Sequence, residues 1–189
     1  MTLANKLTLS RIFVIPVMVI VISIDVLAAD SGFLGLTLGE LIFGILFVIA
    51  AWTDYFDGLV ARKNGQITNF GKFLDPLADK MLIVTALLAV MLKQPDRIPM
   101  WAVLIVIMRE FMVTGIRLLA VDKGKVIAAS PFGKVKTLVT MLALFILLFN
   151  DFSMPLLVGN LVFWLAIILT AVSGIDYLIK NNATIFEQV

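Results

Sequence analysis

The stretch "DYFDGLVARKNGQITNFGKFLDPLAD", residues 54–79, decides how this chain is read. It carries four aspartates, Asp54, Asp57, Asp75 and Asp79, and three basic residues, Arg62, Lys63 and Lys72. Apolar runs flank it: "LIFGILFVIAAW" at residues 41–52 and "MLIVTALLAVML" at residues 81–92. A carboxylate in apolar surroundings is costly unless something compensates its charge. One aspartate at a membrane border reads as a cap or a solvated helix end. Four, at three- and four-residue spacing on adjacent segments, read as a site.

The wider composition supports the membrane setting. Of 189 residues, 61% are hydrophobic and 15% charged, and the mean hydropathy is +1.09. A soluble domain carries about 25% charged residues. The chain therefore reads as an integral membrane protein rather than a greasy soluble bundle. Cysteine and histidine are absent. That excludes disulfides, thiol nucleophiles, Cys/His zinc sites and imidazole bases. Any metal chemistry must use oxygen ligands, which favour hard cations such as Mg²⁺ or Mn²⁺. A net charge of +2 says little about partners; the placement of the charges says more.

Six apolar segments follow one another: Leu9–Ala28, Gly35–Ala61, Leu74–Leu92, Pro99–Ala120, Val135–Phe149 and Leu156–Ile179. A bilayer-crossing helix needs about 20 residues, so the short fifth segment is expected to begin nearer Pro131. No repeat or linker divides the chain. The expected fold is an all-α bundle of six transmembrane helices, a single membrane-embedded catalytic domain over residues 1–189. The first segment could pass for a signal sequence ending at "VLAAD". Because spans follow it, a retained first helix is expected instead.

Basic residues orient the bundle. With the N-terminus in the cytosol, twelve fall inside: Lys6, Arg11, Arg62, Lys63, Lys72, Lys80, Arg117, Lys123, Lys125, Lys134, Lys136 and Lys180. Only Lys93 and Arg97 fall outside, which places both termini in the cytosol. Arg109 remains, well inside the fourth segment. Trp101 fits an interfacial anchor at the outer end of that segment.

Asp54 and Asp57 share a helical face with Gly58 and Ala61, and Arg62 follows where the helix leaves the membrane. Asp75 and Asp79 lie one turn apart near the start of the third helix, with Gly71 on the same row. Pro76 leaves two openings: Asp75 is an N-cap, or the helix starts earlier and runs through the proline. Four like charges at close range would force some to protonate. Two divalent cations bring +4 against −4 and suit a phosphoryl displacement. The small residues Gly58, Ala61 and Gly71 leave room for a flat or phosphorylated ligand.

The spacing reads Asp54-x2-Asp57-Gly58-x2-Ala61-Arg62-x8-Gly71-x3-Asp75-x3-Asp79. It resembles the signature of the CDP-alcohol phosphotransferase family, itself a bundle of six membrane helices. The resemblance implies transfer of a phosphatidyl or similar group from a CDP-linked donor to an alcohol, with release of CMP. It further implies that Asp54, Asp57, Asp75 and Asp79 hold two metals, that Asp79 is the base, and that Gly58, Ala61, Arg62 and Gly71 line the cytidine and diphosphate pocket. A homodimer in the bacterial inner membrane, its active site facing the cytosol, is implied as well.

The second half must supply the acceptor site. "MREFMVTGIRLL" places Arg109 and Arg117 two turns apart and within about 80° in angle. A desolvated arginine needs an anion or a carboxylate. Glu110 is a candidate partner for Arg117, which would make an internal ion pair; the alternative is a phosphate clamp. "SPFGKVKT" adds Lys134 and Lys136. Together the four basic residues suggest an acceptor bearing its own phosphate. "RE…GIR" followed by "GKVKT" resembles the phosphatidylglycerophosphate synthase branch of the family. That implies CDP-diacylglycerol as donor and sn-glycerol 3-phosphate as acceptor. Asn5, Thr8 and Arg11 resemble the family's opening; a cap and a lipid-headgroup arginine would explain them equally. Other acceptors within the family are inositol phosphate, phosphatidylglycerol or serine. A cation transporter built on the aspartates is a remote alternative.

Overall fold

The structure is a computed structural model that describes residues 3–64, 69–122 and 131–181. For residues 3–7, 54–64, 69–73, 75, 76, 119, 121, 122 and 131 it describes the backbone alone. Six α-helices follow in order: α1 (Leu3–Ser23), α2 (Leu38–Asn64), α3 (Asn69–Lys93), α4 (Met100–Asp122), α5 (Pro131–Leu148) and α6 (Leu156–Lys180). Two 3-10 turns, Asp25–Ala28 and Asn150–Ser153, complete the elements. Among the described residues no strand occurs beyond an isolated bridge between Asp30 and Thr37.

Each apolar segment forms a helix, and α5 begins at the proline expected to open it. Helix α3 begins at Asn69, well ahead of its apolar part. Asp75 is therefore not an N-cap. It lies within the helix, which continues through Pro76 although that residue has no N–H to give to the Lys72 carbonyl. Helix α2 opens with a reciprocal cap: Glu40 N–H donates to Thr37 Oγ1 (3.2 Å), and Thr37 N–H donates to Glu40 Oε2 (2.9 Å).

The chain divides into two compact units, Met1–Ala89 with Phe145–Ser153, and Val90–Leu144 with Met154–Val189. In the first, α1 packs on α2. A Cβ at Gly39 would come within 3.0 Å of the Val21 carbonyl oxygen, and one at Gly44 within 3.0 Å of the Phe149 ring. Phe149 belongs to an aromatic cluster with Phe145 and Phe152, ring centroids 5.1–5.5 Å apart. Asn150, Asp151, Phe152 and Ser153 all have φ between 52° and 57°. Asn and Asp tolerate that left-handed region; Phe and Ser pay more for it. The Phe152 ring stacks on Phe149, and Asn150 Nδ2 donates to the Leu34 carbonyl at 2.9 Å.

In the second unit α4 packs on α6. The buried face of α6 carries small and polar residues: Gly159, Ala166, Thr170, Ser173, Gly174 and Tyr177 among them. Its exposed face is aliphatic, with Leu157, Leu161, Leu165, Ile168, Val172 and Ile175. Helix α4 repeats the pattern, turning Glu110 inward and Met108 and Phe111 outward. Water would favour the reverse arrangement; lipid favours this one. Among the described residues α6 is the one helix long and apolar enough to cross a membrane, while α1 and α2 hold shorter apolar runs, Thr8–Ser23 and Leu38–Thr53.

Candidate active site and basic cluster

The backbone sets two carboxylate pairs on successive helices. Asp54 and Asp57 are three apart within α2; Asp75 and Asp79 are four apart within α3. Either spacing puts both members of a pair on one helical face. Asp79 is half-buried. The side chains of Asp54, Asp57, Ala61, Arg62 and Asp75 lie outside the described residues, as do the surroundings of Gly58 and Gly71. In α1, Thr8 and Arg11 are 1% and 2% exposed. Arg11 is thus enclosed by the protein itself. Asn5 lies on α1 with its side chain outside the description.

The four candidate acceptor residues, Arg109, Arg117, Lys134 and Lys136, sort into three positions. Glu110 Oε1 accepts from Arg109 Nη1 at 3.1 Å and from Lys136 Nζ. Arg117 does not pair with Glu110, as its spacing suggested; its guanidinium lies 5.8 Å from the Tyr177 ring centroid. Helical spacing allowed the 110–117 pair, but Lys136 arrives from α5 and Tyr177 from α6, and these neighbours divide the two groups between them. Lys134 is exposed. It stands two residues from Lys136 and so faces nearly the opposite way on α5.

Burial makes this cluster consequential. Lys136 is 1% exposed, and the Arg109 and Glu110 side chains 10% each. Arg109, Arg117 and Lys136 are all buried or half-buried. Arg109 Nε and Arg117 Nε are buried with no hydrogen-bond partner among the described residues. Guanidinium donors in such a setting suit the oxygens of a phosphate. Sequence reading passed over two residues on the facing helix, Gly174 and Tyr177. Their signal was present: a run of Ser, Gly, Asp and Tyr at 173–177 within an otherwise aliphatic span.

The family model for CDP-alcohol phosphatidyltransferases matches residues 1–172. The chain belongs to the CDP-alcohol phosphatidyltransferase family. Among its relatives is the CDP-diacylglycerol–glycerol-3-phosphate 3-phosphatidyltransferase of Bacillus subtilis (strain 168), 42% identical over 95% of this chain and 94% of that protein. The Rickettsia felis protein of the same name is 37% identical over 93% of this chain and 92% of its own length. A Mycobacterium tuberculosis (strain H37Rv) protein, named "Probable phosphatidylglycerophosphate synthase", is 39% identical over 94% of this chain and 80% of its own.

CDP-alcohol phosphatidyltransferases are membrane-associated enzymes and generally depend on divalent metal. The donor set of this chain fits such a cation. Two carboxylate pairs at one-turn spacing, in a chain without Cys or His, offer oxygen ligands only. Membership in this enzyme family sets the cation-transporter alternative aside.

Proposed function

We propose that this chain transfers the phosphatidyl group of CDP-diacylglycerol to sn-glycerol 3-phosphate, giving phosphatidylglycerophosphate and CMP. The relatives' names supply the reaction, since they match over nearly the whole chain. The observation that supports the acceptor is the pair of guanidiniums on α4: Arg109 Nε and Arg117 Nε are buried with no hydrogen-bond partner among the described residues. An acceptor with its own phosphate offers oxygens to those donors; an uncharged alcohol does not.

Asp79 removes the proton of the acceptor's primary hydroxyl as its oxygen attacks the β-phosphorus. A new O–P bond forms, the diphosphate bridge breaks, and CMP leaves with the bridging electrons. Asp54, Asp57, Asp75 and Asp79 would hold two divalent cations, Mg²⁺ or Mn²⁺, which supply charge neutralisation for the diphosphate. Gly58, Ala61, Arg62 and Gly71 receive the CDP head. Arg109, Arg117 and Lys136 hold and orient the acceptor's phosphate; Lys134, exposed on nearly the opposite face of α5, is not part of this clamp. The reading includes one catalytic domain over the chain, six spans with both termini cytosolic, a homodimer, and a bacterial inner membrane.

Purified protein in detergent, given CDP-diacylglycerol and labelled sn-glycerol 3-phosphate, is expected to place label in lipid and release equimolar CMP. Chelation with EDTA should abolish both, and Mg²⁺ or Mn²⁺ should restore them. Arg109→Ala and Arg117→Ala should each cost about tenfold or more in kcat/KM for the phosphorylated acceptor. CMP release that follows inositol phosphate, phosphatidylglycerol or serine, with no label entering lipid from glycerol 3-phosphate, would reassign the acceptor.

A further inference from the structure

Helix α6 contributes no basic group to the cluster, yet it is the surface on which two of the three cations lie. The Arg117 guanidinium sits 5.8 Å from the Tyr177 ring centroid, within the range where a cation is drawn to a ring face. Tyr177 is 3% exposed and packs with Val113 and Ile116 of α4. Its hydroxyl has no hydrogen-bond partner among the described residues. The hydroxyl therefore does not anchor the residue here; the ring does. One turn earlier, Gly174 is buried. A Cβ built there meets Arg109 Cγ at 3.1 Å and Met112 Cε at 3.6 Å. A side chain at 174 therefore presses on Arg109 near its root, which must give by a few tenths of an ångström.

We propose that Gly174 and Tyr177 form a seat on α6 that fixes the directions of the Arg109 and Arg117 guanidiniums, so that α6 sets selectivity for a phosphorylated acceptor without touching it. Both are positioning residues. The inference rests on reading Arg109 and Arg117 as groups that bind the acceptor's phosphate. Its physical core is preorganisation. A free arginine side chain samples many rotamers, and holding it in place before the substrate arrives removes that ordering cost from binding. The loss of either support should appear in the KM for the acceptor, not in the handling of the CDP-lipid.

The test compares kcat and KM for both substrates in wild type, Tyr177→Leu, Tyr177→Phe, Gly174→Ala and Arg117→Ala, with thermal midpoints in detergent as the folding control. Tyr177→Leu removes the ring and should raise KM for glycerol 3-phosphate about five- to thirtyfold, leaving KM for CDP-diacylglycerol within about twofold. Tyr177→Phe keeps the ring and should hold the acceptor KM within about twofold of wild type. Gly174→Ala should raise the acceptor KM about threefold or more through Arg109.

The seat is overturned if Tyr177→Leu leaves the acceptor KM in place, if it raises both KM values alike, or if Tyr177→Phe costs as much as Tyr177→Leu. Should Tyr177→Leu fail to fold, Gly174→Ala decides: an unmoved acceptor KM overturns the proposal. Arg117→Ala separates the two levels. If it fails to raise the acceptor KM, the reading of the acceptor site has failed. If it succeeds while the Tyr177 and Gly174 variants do not, the seat alone has failed.

Discussion

Glu110 is the residue on which the basic cluster turns. Two cations converge on one of its oxygens, and Lys136 is fully buried. Removing one partner of a buried ion pair leaves the other charge uncompensated, at about 3–5 kcal/mol. Glu110→Ala is therefore expected to lower stability by about that amount. Lys136→Met in the same background should recover part of it, since the stranded ammonium is then gone. Chemical or thermal unfolding of the two single variants and the double variant checks this; strictly additive losses would show that the pair does not couple. The residue scale also shows what sequence could carry. The family was legible because eight fixed residues, the four aspartates among them, fall at fixed spacing within 26 positions. The partner of Glu110 was not. Helical periodicity ranks neighbours on the same helix, so it offered Arg117, whereas Lys136 lies 26 residues on and comes from another helix. Tyr177 is further still, and an aromatic in an apolar span attracts no notice until its helix is seen against α4.

The helices themselves were readable as apolar runs, but their ends were not. Hydropathy marks where a helix is oily and stops where it turns polar. Helix α3 thus starts at Asn69 while its apolar part starts at Leu74, and α2 runs on through Arg62, Lys63 and Asn64. The consequence reaches the site: Asp75 stands inside a helix, one turn from Asp79, rather than at its N-cap. The cap at Thr37 and Glu40 was legible as a Thr-x-x-Glu pattern and was missed. The left-handed turn at Asn150–Ser153 was not legible, because Phe152 disfavours that conformation and long-range contacts, the aromatic cluster and the Asn150–Leu34 hydrogen bond among them, accompany it. Packing between elements gives a paired prediction. Gly39 lies where α1 and α2 approach closely, and a Cβ there meets a backbone oxygen at 3.0 Å. Backbone cannot swing aside as a side chain can, so Gly39→Leu should cost about 1–3 kcal/mol by forcing the helices apart. Gly115 in α4 has open space around its Cβ position. Gly115→Ala should be neutral or gain up to about 1 kcal/mol by helix propensity. Thermal midpoints in one detergent would compare them; equal effects would mean that the Gly39 approach does not limit packing.

At the scale of the whole molecule, the proposed six spans with both termini cytosolic would put twelve basic residues on the cytosolic side and two, Lys93 and Arg97, on the other. Arg97 has a structural reason to be an exception. Its guanidinium donates to Gln94 Oε1 at 2.7 Å, to Asn160 Oδ1 at 2.9 Å and to the Leu156 carbonyl at 3.3 Å. It ties the turn between α3 and α4 to the first turns of α6, so its charge serves packing there. The remaining asymmetry is what orients a chain during insertion. The absence of cysteine makes the topology directly measurable, because a single introduced thiol is the only one to react. Asp96 lies exposed in the α3–α4 turn and Lys180 exposed at the end of α6. With both termini cytosolic, Asp96→Cys in intact cells should react with a membrane-impermeant maleimide. Lys180→Cys should react only after the membrane is permeabilised. The opposite pattern would invert the orientation and place the aspartate pairs at the wrong face for a cytosolic nucleotide-lipid head and a cytosolic phosphorylated alcohol. Labelling of both sites in intact cells would mean an odd number of crossings between the turn and α6's end has been lost, and with it the six-span arrangement.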